Sequence, residues 1–160
     1  MTTASELFQL ALEHHRGGRL REAETIYRQI LANHPRHPPT LHMLGLLMHQ
    51  VGRPDLAVDY LRNAIANDPT QAAFHNSLGE ALRSLGKLED AQESFQQALR
   101  LDAQFAAAHY HLGLVHEARG DLPAAHEAFA HVLRLNPRHA ETSCRWFLGR
   151  CRFAMLKHKV

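Results

Sequence analysis

The chain has 160 residues, 45% hydrophobic and 21% charged, with a formal net charge of +2. That balance excludes intrinsic disorder, and the length excludes a large multi-domain enzyme. The near-neutral charge gives no reason to expect a nucleic-acid binder. No run approaches the ~20 consecutive apolar residues of a membrane helix. Glu6 and Glu13 interrupt the segment where a secretory leader would be apolar. A cytoplasmic protein without stable membrane insertion is therefore expected.

Along the chain, Thr3 and Glu6 stand at capping-box spacing and open a first helix. Glycine then recurs at 18, 52, 86 and 120, in steps of 34. A second series, Gly45, Gly79 and Gly113, keeps the same step, with Ala11 in the first slot. Ala23, Ala57, Ala91 and Ala125 follow it, as do Tyr27, Leu61, Phe95 and Phe129. Proline at 35, 69 and 137 closes the units, Ala103 being the one departure. The spacing predicts units 4–37, 38–71, 72–105 and 106–139, each of two helices.

Leucine precedes the small residue of each first helix: Leu10-Ala11, Leu44-Gly45, Leu78-Gly79 and Leu112-Gly113. Apolar residues around these pairs give the 3.6-residue stripe of an amphipathic helix. Gly18, Gly52, Gly86 and Gly120 then end the first helix, since glycine tolerates the left-handed conformation there. A second stripe follows, as in Leu88, Ala91, Phe95, Ala98 and Leu99. Pro54 and Pro123 fall in first turns, where a missing N–H costs nothing. Asp68-Pro69 and Asn136-Pro137 stop the second helix. The small residues let the two helices of a hairpin approach, and the large residues at 27, 61, 95 and 129 are expected to reach across to the next unit. No unit can bury its apolar face alone, so stacking must make one continuous core.

The period of 34 and the pattern Leu-Gly, Gly seven residues on, then Ala, Phe or Tyr, and Pro resemble the tetratricopeptide repeat. The early Trp of that repeat is replaced by Leu7, Leu41, His75 and His109. The resemblance implies an all-α fold: an α-solenoid of four 34-residue helix-turn-helix repeats over 1–139, wound as a right-handed superhelix. Residues 140–160 would add a C-terminal capping helix and basic tail. Residues 7–115 look like the bacterial arrays that precede the catalytic domain of O-linked N-acetylglucosamine transferases. Only 21 residues follow the last unit, so no such catalytic domain is expected. The asparagines that precede Leu-Gly in those transferases are absent, the slots holding Gln9, Met43, Ser77 and His111.

In this family the first helices line a concave groove. The groove-facing slots of the four units hold Phe8, Leu12 and His15; His42, Leu46 and His49; Asn76, Glu80 and Arg83; and Tyr110, Leu114 and Glu117. Three units offer apolar or aromatic groups and the third offers amide and charge. A partner segment with apolar ends and a polar centre is expected, extended or helical. Some of these residues could instead close the superhelix against their neighbours. The carboxylate clamp of chaperone-binding members needs more basic and asparagine slots than Asn76 and Arg83 supply.

The 14 histidines invite a metal reading. His126-Glu127 with His131 is one residue too long for a helical pair of ligands, and His111 with His116 fails the same way. His109 and His116 share a face but occupy packing slots. His14 and His15 diverge. His15 with His49 is the best remaining pair, and neither metal nor cofactor is expected. Protonating all fourteen would raise the formal charge from +2 to +16, so acid sensitivity is expected.

Residues 140–160 begin as a fifth first helix, with Trp146-Phe147 in the Leu-Gly slot. Five basic residues against Glu141 give this segment +4, leaving the rest at −2. Capping explains Trp146 better than it explains Phe153, Met155 and Leu156, so self-association through Trp146, Phe147, Phe153 and Leu156 is an alternative, with an anionic or membrane surface behind it. Cys144 and Cys151 lie seven residues apart, roughly 10.5 Å along a helix, too far for a disulfide. No nucleophile–base constellation or phosphate loop is present. The sequence thus points to a non-catalytic adaptor that binds a protein or peptide in its groove. Its alternatives are an array presenting substrates to a separately encoded transferase, and a homo-oligomer assembled through the tail. RNA binding would prefer a 35-residue period and a basic groove.

Overall fold

Thr3 opens the first helix: its hydroxyl accepts the Glu6 N–H at 3.2 Å, and the Glu6 carboxylate accepts the Thr3 N–H at 2.9 Å. The computed structural model describes residues 3–137. Among these the chain forms eight helices and no strand: α1 Ala4–Arg16, α2 Leu20–Asn33, α3 Pro38–Gln50, α4 Pro54–Asn67, α5 Ala72–Ser84, α6 Leu88–Leu101, α7 Ala106–Ala118 and α8 Leu122–Leu135. Pro54 stands first in α4, and α4 and α8 stop just before Asp68-Pro69 and Asn136-Pro137. The proposed tail residues, Trp146, Phe147, Phe153 and Leu156, and both cysteines lie outside the described residues.

One turn is used four times. Gly18, Gly52, Gly86 and Gly120 have φ between +74° and +79°. The residue after each donates its N–H to a carbonyl five residues back, as Arg53 does to Met48 at 2.8 Å and Lys87 to Leu82 at 3.0 Å. This closes orphan carbonyls of the first helix and reverses the chain. A Cβ on Gly86 would meet nothing within 4 Å, so the cost of a side chain there is backbone strain alone. Gly86→Ala is expected to destabilise by about 1–2 kcal/mol in urea unfolding, the penalty of the left-handed region; an unchanged midpoint would contradict it.

The helices pair as α1–α2, α3–α4, α5–α6 and α7–α8, and each pair packs on the next. The large residues do something the sequence reading did not expect. The Phe95 ring lies against Gly79 of its own hairpin, so close that a Cβ on Gly79 would stand 2.5 Å from Phe95 Cε1. Phe129 fills the same slot at Gly113, and Leu61 at Gly45. The glycine therefore makes room for a ring, and the ring first welds its own hairpin. Phe95 also reaches the next unit, where the His111 ring lies 5.4 Å away. Tyr27, Leu44, Leu61, Phe95 and Phe129 are all buried, in a core that runs along the stack.

His75 and His109, in the slots where Trp is usual, donate from Nε2 to the carbonyls of Pro69 and Ala103 at 3.1 Å. Each staples the loop between units to the helix that follows. α3 also touches α5, and α5 touches α7, whereas no two second helices approach each other as closely. The first helices thus form the inner layer of the array.

Candidate functional site

The inner face carries the twelve predicted groove residues, and the structure sorts them into two kinds. Four of them are hydrogen-bonded across the joints between units. His15 Nε2 donates to Gln50 Oε1 at 2.9 Å, leaving Nδ1 to face the Tyr27 hydroxyl at 3.4 Å. His42 Nε2 pairs with Ser77 Oγ at 2.9 Å. His49 Nε2 donates to Ser84 Oγ at 2.8 Å, the serine hydroxyl itself donating to the Glu80 carbonyl. His111 Nδ1 donates to Asn76 Oδ1 at 3.1 Å.

Every one of these pairs joins residues 35 apart. The repeat is 34, so the stack sets each side chain against the residue one past its own equivalent. Two rows of rungs result. One runs through 42–77 and 76–111, the other through 15–50 and 49–84. Gln50, Ser77, Ser84 and His111 are the partners the slot pattern missed; scanning polar residues at a separation of 35 finds them.

The rungs have an electrostatic consequence. His42 is half-buried, with the Phe74 ring 4.6 Å away, and this loss of solvation holds its imidazole down to about 4. His49 is held below its ordinary value by burial and by the neighbouring Arg83 charge. Burial raises the Tyr27 phenol to about 12, so its hydroxyl stays a donor toward His15.

The other slots differ. Phe8 packs on Tyr27 at 6.1 Å and edge-on to His37 at 5.8 Å, closing the first joint. Tyr110 and Leu114 lean on the Phe129 cluster. Glu80 accepts from Asn76 Nδ2 at 2.7 Å and lies 3.6 Å from His111 Nδ1. Leu12 and Leu46 are half-buried and belong to none of the core clusters. Glu117 is half-buried. Arg83 is half-buried too, with its Nε enclosed and without a hydrogen-bond partner. What remains on the inner face outside the core clusters is therefore apolar at Leu12 and Leu46, with Leu114 half-buried against the Phe129 cluster, and cationic at Arg83.

The structure does not bring His15 and His49 together as a ligand pair, because each turns to its own rung in the next unit. On another side of the last hairpin, His109 and His131 stack with rings 4.7 Å apart and 5° from parallel. They line a cavity of about 210 Å³ with His116 and Glu127. Parallel stacked rings point their nitrogens alongside one another rather than at a common centre. Among the described residues no group of three or more His, Cys, Asp or Glu side chains is placed to hold a metal ion. No described helix is long and apolar enough to cross a membrane.

Comparison with curated proteins finds no match. Among solved structures, MamA superimposes with a TM-score of 0.82 at 25% identity, covering 91% of this chain and 84% of that one. PilF of Pseudomonas aeruginosa gives a TM-score of 0.87 at 23% identity, over 96% and 69%, a likeness of fold alone. An O-GlcNAc transferase of Thermobaculum terrenum gives 0.79 at 31% identity, over 84% of this chain and 27% of the transferase. Models of the tetratricopeptide repeat match residues 8–72, 60–93 and 106–139, and a TPR repeat model matches 79–120. These matches run without a gap from 8 to 139, over the stacked helix pairs and their shared inner face, and the chain belongs to the tetratricopeptide repeat family.

Proposed function

We propose that the chain is a non-catalytic interaction scaffold that holds a segment of a partner protein, extended or helical, along its inner face. The observation that supports this most is the pair Leu12 and Leu46: apolar, half-buried and packed into no core cluster, on a face otherwise tied up by hydrogen bonds. Apolar side chains left at the open surface of an array are the usual anchors for a partner's own apolar residues. The proposed ligand therefore contacts Leu12 and Leu46 at one end, Arg83 in the middle and Leu114 at the other. Phe8, His15, His42, His49 and Asn76 serve instead to hold the curvature that spaces these contacts.

Changing Leu12 and Leu46 together to Glu is expected to abolish partner capture and leave the helical circular dichroism spectrum unchanged. Retained capture in a folded double variant would sink the groove reading. A second reading, presentation of substrates to a separate transferase, draws on the 31% identity with the repeat region of an O-GlcNAc transferase structure. It requires a transferase among the captured proteins.

A further inference from the structure

The cavity beside the last hairpin opens where the repeat loses bulk. The slot of His116 holds Met48 and Leu82 in units 2 and 3, both buried in the core. The slots of Ala124 and Ala128 hold Leu56 and Tyr60 in unit 2, both packed against the core clusters. In unit 4 an imidazole and two methyl groups thus stand where unit 2 places a thioether, an isobutyl group and a phenol. The opening they leave has about 210 Å³ and is walled by three helices, with Leu99 of α6, Leu112 of α7 and Ala128 of α8. An apolar cavity of about 150 Å³ already holds a benzene ring, so a planar group of that size fits here with room for a stem.

The lining carries one carboxylate, Glu127, and no arginine or lysine. Glu127 is exposed and has no ion pair among the described residues. His109 donates from Nε2 to the Ala103 carbonyl, which leaves Nδ1 with its lone pair. His131, stacked on His109, is held below its ordinary value by burial and by the charges of Arg134 and His109, against the pull of Glu127. It is therefore neutral at pH 7.5. His116 lies 3.8 Å from the Asp121 carboxylate. Arg134, a turn further along α8, is exposed, where salt screens its charge.

We propose that this cavity binds the guanidinium group of an arginine, with Glu127 as its counter-charge. A guanidinium is planar and weakly hydrated, so it tolerates apolar walls and lies against flat rings, while two of its N–H groups donate to one carboxylate. An ammonium is compact and strongly hydrated, and would give up that water against Leu99, Leu112 and the alanines. An anion would meet Glu127. None of the lining residues is one of the twelve inner-face positions, so this site and the groove stand or fall separately.

The test follows the Cε1–H resonances of His109 and His131 by NMR at constant ionic strength. The probes are N-acetyl-arginine methylamide, its lysine and citrulline counterparts, and free arginine. The arginine amide is expected to move both signals saturably. The citrulline amide, of the same shape without the charge, should bind roughly tenfold more weakly, and the lysine amide no better. Glu127→Gln should cost the arginine amide a similar factor. Ala128→Tyr, which restores the ring that unit 2 has in this slot, should stay helical and abolish the response. Ala124→Leu, the unit 2 residue of its own slot, serves if the tyrosine variant does not fold. Binding should weaken as the pH is lowered from 7.5 to 5, since His131 takes up a proton and repels the cation. Whichever of the arginine amide and free arginine binds more tightly assigns the guanidinium to a peptide or to a small molecule.

Signals indifferent to the arginine amide, or equal binding of the arginine and citrulline amides, would overturn the proposal. So would an undiminished response in Glu127→Gln or a full response in a folded cavity-filling variant. Tighter binding of the lysine amide would overturn the choice of a guanidinium. Binding of the arginine amide that strengthens as the pH falls would contradict a cation held beside His131 and overturn it as well.

Discussion

Gly79→Ala is expected to destabilise the protein by about 1–3 kcal/mol, although alanine is the better helix former by about 1 kcal/mol. The added methyl would stand 2.5, 2.7 and 2.8 Å from three atoms of the Phe95 ring. That ring is fully buried and wedged between its own hairpin and His111 of the next unit, so it has nowhere to go. Gly113→Ala meets Phe129 at 2.6 Å and should behave alike. Gly45→Ala should cost less, because its closest neighbour is Leu61 Cγ at 2.8 Å, on a side chain that can change rotamer. Urea unfolding of the three variants checks this order. Combining Gly79→Ala with Phe95→Leu should cost less than the sum of the two single changes, since the smaller side chain vacates the space the methyl needs. A Gly79→Ala protein as stable as the parent, or strict additivity in the double variant, would show that the ring does not need the glycine.

Lowering the pH from 7.5 to 5 is expected to remove about 2 kcal/mol of stability through His42 alone. Its folded imidazole titrates near 4, below the ordinary value of 6.5, because burial disfavours the charged form. The unfolded chain therefore takes up the proton first as the pH falls. Stability is complete above about 6.5 and is lost progressively until the folded pKa near 4 is reached. His37 and His49 are shifted the same way by burial and add to the loss. General repulsion among fourteen protonated histidines makes the same qualitative forecast, and salt tells the two apart. Repulsion between exposed charges is screened by 0.5 M salt, whereas the burial of His42 is not. Melting temperatures at pH 7.5 and 5, at low and high salt, should fall in both salts. His42→Gln, which can still reach Ser77, should lose much of the dependence. A parent protein with the same melting temperature at both pH values would refute the burial account, as would a variant with undiminished sensitivity.

The periodic features of the fold were legible because they depend on local chemistry repeated every 34 residues. Gly18 and its equivalents end a helix by their own backbone freedom, and Thr3 with Glu6 caps one by spacing alone. The destination of Phe95 was not legible. Its spacing from Gly79 fits a slot within the hairpin, yet the pattern by itself does not say whether a large residue fills its own unit or the next. The rungs were hidden for a related reason. A 34-residue repeat suggests comparing residue 42 with 76, while the stagger of the stack sets 42 against 77 and 49 against 84. Side chains assigned by slot to a ligand, such as His42 and His49, thereby turn out to be engaged between units. Arg83 was visible as a charge in the centre of the groove; that its Nε is enclosed without a hydrogen-bond partner is seen only in the structure.

The most direct measurement compares partner capture by three forms of the protein, each shown to be helical by circular dichroism. These are the parent, the variant with Leu12 and Leu46 changed to Glu, and a chain truncated after His139. The groove account predicts that the partners held by the parent are lost from the Leu12/Leu46 variant and kept by the truncated chain. Partners kept by the groove variant and lost on truncation would contradict it and move the binding surface to the segment around Trp146 and Phe153.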